Sequence, residues 1–151
     1  MAKHRSSWMT EDLDQLRRLA RDVFAKELTP HQERFAEQHA VDRDLWRRLG
    51  ELGLVCISIP EEYGGGGGTF AHETVLLEEQ ARALDSSWGN SVHSGIVAHY
   101  LLNYGTEEQK RRWLPRLASG DLVGAIAMSE PAPAPTCSPC GPGRCAAATS
   151  T

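Results

Sequence analysis

Five groups of residues in this chain have side chains or backbone that could do chemistry. Gly120-Asp121-Leu122-Val123-Gly124-Ala125-Ile126-Ala127-Met128-Ser129-Glu130-Pro131 is a short apolar run with small residues and a polar end. It reads as a buried strand that presents a hydroxyl and a carboxylate. Gly64 to Gly68 are five consecutive glycines. Such a run before a helix can cradle phosphate, but a phosphate loop ends in Lys-Ser or Lys-Thr, whereas this one ends in Thr69-Phe70. The expectation is a flexible connection, with Thr69 capping the helix that follows. Glu73, Glu78 and Glu79 invite an acid–base reading, yet adjacent residues on a helix point about 100° apart. They are expected to be surface charges. His93 and His99 are six residues apart, on different faces of one helix, and do not form a metal pair. Cys137, Cys140 and Cys145 supply three thiolates with no fourth ligand nearby, an incomplete zinc site, so no metal is assigned.

The elements that must position these groups are helical. Thr10 can cap a first helix with Glu11, Asp12 and Asp14 in its first turn and Leu13, Leu16, Ala20, Val23 and Phe24 on one stripe. Pro30 breaks it, and a second piece through Phe35 and Ala36 continues at an angle. Asp42 or Asp44 starts a helix with Leu45, Leu49 and Leu52 inward that stops at Gly53. Leu54 to Ile59 is a short apolar run closed by Pro60. A helix from about Phe70 to Leu84 packs through Val75, Leu76 and Ala83. From about Ser87 to Tyr104 the chain is apolar and small, which predicts a central helix with neighbours on several sides. Thr106-Glu107-Glu108-Gln109 is a capping box. Its helix carries Trp113 and Leu117 inward, is bent or tightened near Pro115, and ends at Gly120.

Composition narrows the function classes. The chain has 151 residues, 40% hydrophobic and 24% charged, enough for one soluble domain with its own core. A net charge of −4 argues against nucleic acid and anionic membrane as partners. Arg17, Arg18, Arg47, Arg48 and Lys110 to Arg112 read as solvated faces. No apolar run approaches the roughly 18 residues that cross a bilayer, and the N-terminus lacks an apolar signal core. The expected setting is cytoplasmic, reducing and free of membrane.

The order of these elements and five stretches within them resemble the acyl-CoA dehydrogenase family. The stretches are Ile59-Pro60-Glu61-Glu62-Tyr63-Gly64-Gly65, Glu78-Glu79-Gln80-Ala81, Ser91-Val92-His93-Ser94-Gly95-Ile96-Val97, Tyr104-Gly105-Thr106-Glu107-Glu108-Gln109-Lys110 and Gly124 to Pro131. They cover about residues 10 to 131 and look most like the long-chain branch, with the isovaleryl branch next. The resemblance implies an all-α fold class, the helical-bundle N-terminal domain of such an enzyme, over residues 1–119. The first strand of a flavin-binding β domain would follow at 120–131. It implies FAD as cofactor, an acyl-CoA as partner, and α,β-dehydrogenation in fatty-acid or branched-chain acyl oxidation. By the same resemblance, Ile126, Ala127, Met128 and Ser129 would run beside the flavin, with the Ser129 hydroxyl near its N5 and O4 edge. His93, Ser94 and Gly95 would form one wall of the acyl channel. No catalytic residue is assigned, because the family's catalytic carboxylate lies in a later region. The resemblance also implies a homo-oligomer or association with intact dehydrogenase subunits as partners, and the alternative function is a non-enzymatic helical interaction module associating with intact family subunits.

Beyond Pro131 the resemblance stops. Residues 132–151 contain no Asp, Glu, Leu, Ile, Val, Met, Phe, Trp or Tyr, so all 20 acidic residues precede them. Such a segment cannot bury a core and is expected to be disordered. The family continues after Glu-Pro with Gly-Ser-Asp or Gly-Thr-Asp. Writing Ala132 to Ser138 as GCN-CCN-GCN-CCN-ACN-TGY-AGY and reading from the third base of the first codon permits Ala-Gly-Thr-Asp-Leu-Gln. The expectation is a frame shift near codon 132, a chain truncated relative to its family, and no activity from this chain alone.

Overall fold

A computed structural model describes residues 6–127, and every regular element among the described residues is a helix, with no strand. Helix α1 (Glu11–Val23) starts after Thr10, whose backbone is extended, and carries Glu11, Asp12 and Asp14 in its first turn. Carboxylates there favour the positive end of the helix dipole. Leu13 and Ala20 are buried, and the chain runs on through a π turn (Phe24–Leu28) and a 3-10 turn (Thr29–His31) into α2 (Gln32–Gln38). Pro30 cannot donate to the carbonyl four residues back, Lys26, which lies inside the π turn. The widened turn keeps Phe24 and Leu28 both fully buried.

Helix α3 (Arg43–Glu51) buries Leu45, Trp46 and Leu49 and ends before Gly53, which has φ +70°. Helix α4 (Phe70–Arg82) lies against α1. A long helix from Asn90 to Tyr104 follows, made of α5 (Asn90–Val92), a π segment (His93–Ala98) and α6 (His99–Tyr104). Helix α7 (Glu107–Ala118) opens on the expected capping box: Thr106 Oγ1 accepts from the Gln109 N–H at 3.2 Å, and the Thr106 N–H donates to Gln109 Oε1 at 2.8 Å. In α7 it is Leu114 that is fully buried, while Trp113 is only half-buried. The core gathers Phe24, Trp46 and Trp88, with ring centroids 5.5 Å apart for Phe24–Trp88 and 5.9 Å for Trp46–Trp88. Each such side chain, fully buried, contributes about 1.5–3 kcal/mol.

Three expectations need correction. Glu73 and Glu79 are buried rather than surface charges, because α4 turns that face toward α1 and toward Ser58. Arg17 and Arg21, one turn apart on α1, meet Glu79 there, so Arg17 belongs to an interface rather than a solvated face. The glycine run is not a flexible connection. Gly65, Gly66, Gly67 and Gly68 donate backbone N–H groups to the carbonyls of Pro60, Cys56, Ile59 and Ile57 respectively, at 2.8–3.3 Å. A Cβ on Gly65 would lie 2.1 Å from the Ile59 oxygen, so only glycine permits that approach. The long helix touches α3 through Trp46, the segment around Cys56, and α7, and among the described residues it leaves one face open, where Ile96, Tyr100 and Tyr104 are exposed.

Residues 119–127 leave the end of α7 through Gly120 (φ +76°), and 123–127 have no ladder partner among the described residues. A strand needs a neighbouring strand for its backbone groups. Met128, Ser129 and the cysteine-containing segment 132–151 lie outside the described residues.

Candidate functional site

The long helix carries the site on two opposite faces. Inward, the π segment shifts the helical phase so that the adjacent residues His93 and Ser94 are both fully buried. Ser94 Oγ accepts from the Cys56 N–H at 2.9 Å and donates to Asn90 Oδ1 at 2.6 Å, fastening the helix to the apolar segment before the glycine loop. Cys56 is the turning point of that segment, with φ 53°, and burial pushes its thiol up to about 12. It is therefore a packed thiol and no nucleophile.

The His93 ring is fixed from three sides. Its Nδ1 accepts from the Gly124 N–H at 2.9 Å, so that nitrogen carries no proton. The proton sits on Nε2, which donates to the Leu117 carbonyl at 3.1 Å. The ring stacks at a tilt on Trp46, with centroids 4.9 Å apart. Burial lowers the pKa of the imidazole and keeps it neutral.

Outward, Gly95 opens a surface. A Cβ built on Gly95 meets nothing within 4 Å, and the space beside it is a cavity of about 270 Å³ between α4 and the long helix, lined by Phe70, Glu73, Leu77, Ser91, Gly95 and His99. A hollow of about 290 Å³ adjoins it along Ile96, Tyr100 and Tyr104. Glu73 lines the cavity, and Ser58 Oγ donates to its Oε1 at 2.9 Å. With its proton given to the carboxylate, Ser58 accepts from His99 Nε2 at 2.9 Å. This chain of groups holds Glu73 as a hydrogen-bonded carboxylate, occupied on the side of Ser58.

His93, Ser94 and Gly95, read together from the sequence as a wall, thus divide: Gly95 faces the open cavity, whereas His93 and Ser94 face the core. Ile126 and Ala127 are exposed and lie three residues or fewer past the His93 contact at Gly124. Residues 125–127 make no backbone hydrogen bond among the described residues. Asn90 and Ser58 escaped the sequence reading as site residues, while Glu73, His99 and Gly124 entered it only as a surface charge, half of a rejected metal pair and part of a strand. A signal for Asn90 and Ser94 exists in their spacing, two polar residues four apart on the inward stripe of an apolar helix. Ser58 and Glu73 carry no such signal, because their meeting depends on a loop folding back onto α4. Among the described residues, no three His, Cys, Asp or Glu side chains are placed to hold a metal, and no helix is long and apolar enough to cross a membrane.

Comparison with known proteins follows the same outline. Residues 10–121 match the family model for the acyl-CoA dehydrogenase N-terminal domain. The chain is 41% identical over 118 residues to the mitochondrial long-chain specific acyl-CoA dehydrogenase of Rattus norvegicus, covering 78% of this chain and 27% of that protein. It is 40% identical over 114 residues to the mitochondrial isovaleryl-CoA dehydrogenase of Solanum tuberosum, covering 72% and 27%. The structure of a Bacillus anthracis acyl-CoA dehydrogenase complexed with FAD superimposes with a TM-score of 0.73 at 30% identity, over 85% of this chain and 22% of that one. The chain thus spans about a quarter of the length of these relatives.

Proposed function

The chain belongs to the acyl-CoA dehydrogenase family through its N-terminal domain, and from that premise we propose that it forms the helical part of a FAD-dependent enzyme acting on acyl-CoA thioesters. The observation that carries this reading is the pairing on one helix of an open, mostly apolar cavity at Gly95 with a tether at His93 to the exposed segment 125–127. Phe70, Leu77 and Gly95 offer an acyl chain an apolar wall with room beside the helix backbone. Ile126 and Ala127 fit a flavin because they combine exposed apolar surface with backbone groups that have no partner among the described residues. Ser129 extends the segment, and we assign its hydroxyl to the flavin edge. Bound FAD supplies a hydride acceptor for the β-hydrogen of the thioester.

On this proposal the 151 residues by themselves are catalytically silent. Glu73 is the one buried carboxylate lining the cavity among the described residues, and it is hydrogen-bonded to Ser58. It is a poor candidate for the base that takes the α-proton. The cytoplasmic setting inferred from composition is part of the same proposal. A second reading, association with intact family subunits, is favoured by one observation: Phe70 beside the cavity and Tyr100 and Tyr104 along the adjoining hollow are 80%, 61% and 81% exposed.

Titration of the purified chain with FAD and with a long-chain acyl-CoA tests the proposal. Gly95→Leu fills the open space and is expected to weaken acyl-CoA binding with helical content unchanged. Equal binding by the variant removes Gly95 from the wall. Bleaching of bound flavin on adding acyl-CoA overturns silence, and copurification of an intact dehydrogenase subunit supports the second reading.

A further inference from the structure

We infer that His93 is a positioning residue, which fixes through its Nδ1 the point at which the segment carrying Ile126 and Ala127 leaves the helical body. The flavin-facing part of this inference rests on the function proposed above; the anchoring part does not.

The route from α7 to residue 125 is held at successive points. Gly120 passes so close to α3 that a Cβ there would lie 2.3 Å from the Trp46 oxygen. Asp121 Oδ1 accepts from Arg47 Nε at 3.1 Å, an exposed contact. The Leu122 N–H donates to the Arg116 carbonyl at 2.9 Å, within the same turn of chain. The Gly124 N–H then donates to His93 Nδ1 at 2.9 Å. Of these, only the last ties the segment to a fully buried side chain, and it is the final backbone hydrogen bond before 125–127 among the described residues.

The acceptor cannot wander. The Leu117 carbonyl holds Nε2, and Trp46 covers the ring, so Nδ1 has one direction. Gly124 is also pressed on the same helix, since a Cβ on it would lie 2.8 Å from Val97 Cγ1. Hydrogen bond and close approach together set position and heading. Three residues of extended chain reach about 10 Å, so a pivot of about 10° at Gly124 would carry Ala127 nearly 2 Å sideways. A displacement of that size is enough to spoil alignment of a bound reactant.

The test uses the full 151-residue chain, labelled with nitrogen-15. In the unmutated protein the His93 ring should show the Nε2-protonated tautomer, with a coupling across the hydrogen bond between the Gly124 amide nitrogen and Nδ1. A proton on Nδ1 with no such coupling overturns the inference without any substitution. Two variants then separate anchoring from packing. In His93→Asn the side-chain oxygen sits where Nδ1 was and can still accept from Gly124. In His93→Gln the amide reaches the Nε2 position and can still donate to Leu117, but Gly124 loses its acceptor. Exchange of the Gly124 amide should be about tenfold faster in His93→Gln than in His93→Asn, the worth of one hydrogen bond. Equal exchange in the two variants, with core amides still protected, overturns it. FAD titration of the same samples is a separate readout: weaker binding by His93→Gln than by His93→Asn supports positioning toward the flavin. No binding by any sample counts against the proposed function and leaves the anchoring result standing.

Discussion

Glu79→Gln keeps the shape of the side chain and removes its charge from the interface between α1 and α4. The Glu79 side chain is 1% exposed, with Arg21 Nε at 2.9 Å from Oε2, Arg21 Nη2 at 3.0 Å from Oε1, Arg82 Nε at 3.4 Å and Arg17 Nε at 3.5 Å. Removing one partner of a fully buried pair costs about 3–5 kcal/mol, because the other charge is left without compensation. Here Arg21 and Arg82 are 55% and 64% exposed and can turn to water, which lowers the cost. Arg17, at 23%, cannot do so as fully. The amide keeps one acceptor oxygen for Arg21, so one charge-assisted bond is lost and the other weakened, and the expected destabilisation is about 2–3 kcal/mol. With a urea slope near 2 kcal/mol per molar, the unfolding midpoint should fall by about 1–1.5 M. Glu78→Gln is the internal control: Glu78 pairs with Arg17 at 2.6 Å but is 38% exposed, so its loss should cost less than about 1 kcal/mol. Tryptophan fluorescence during urea unfolding reads both variants. A Glu79→Gln midpoint equal to that of Glu78→Gln would refute the buried, multiply bridged carboxylate.

Gly65→Ala should cost about 3 kcal/mol or more in the same assay, since its Cβ meets the Ile59 backbone and neither can yield cheaply. Gly95→Ala, with open space around its Cβ, should instead raise stability by about 0.5–1 kcal/mol. Stability should also narrow at both ends of the pH scale. The folded state resists protonating His93, whose pKa lies below 6.5, so stability is complete above that pH and declines as pH falls below it. The Cys56 thiol ionises in the folded state only near 12, against 9.0 for the free group, so stability declines as pH rises between those values. Urea midpoints across pH, repeated on His93→Asn, should show the acid-side decline reduced by the substitution. Sequencing the gene tests the frame-shift reading: the shifted frame should encode Gly-Ser-Asp or Gly-Thr-Asp just after Pro131, followed by a full C-terminal region.

The amino-acid sequence alone determined the helical class and most helix limits. Those limits rest on local chemistry: Thr106 and Gln109 cap α7 whatever packs on it, Pro30 interrupts the first helix through its missing N–H, and Gly53 and Gly120 take the left-handed turns at helix ends. The family was legible too, because its motifs are contiguous stretches. Tertiary structure decided what the polar groups do. Glu79 becomes a buried bridge only because Arg21, 58 residues away in sequence, is brought beside it. The glycine run is rigid only because the carbonyls of Cys56 to Pro60 fold back against it. His93 was expected in a channel wall; its tautomer and its grip on Gly124 follow from a π turn that rotates it inward and from a segment arriving 31 residues later. Local propensity acts over one helical turn, whereas burial and hydrogen-bond partnership depend on which distant elements share a surface.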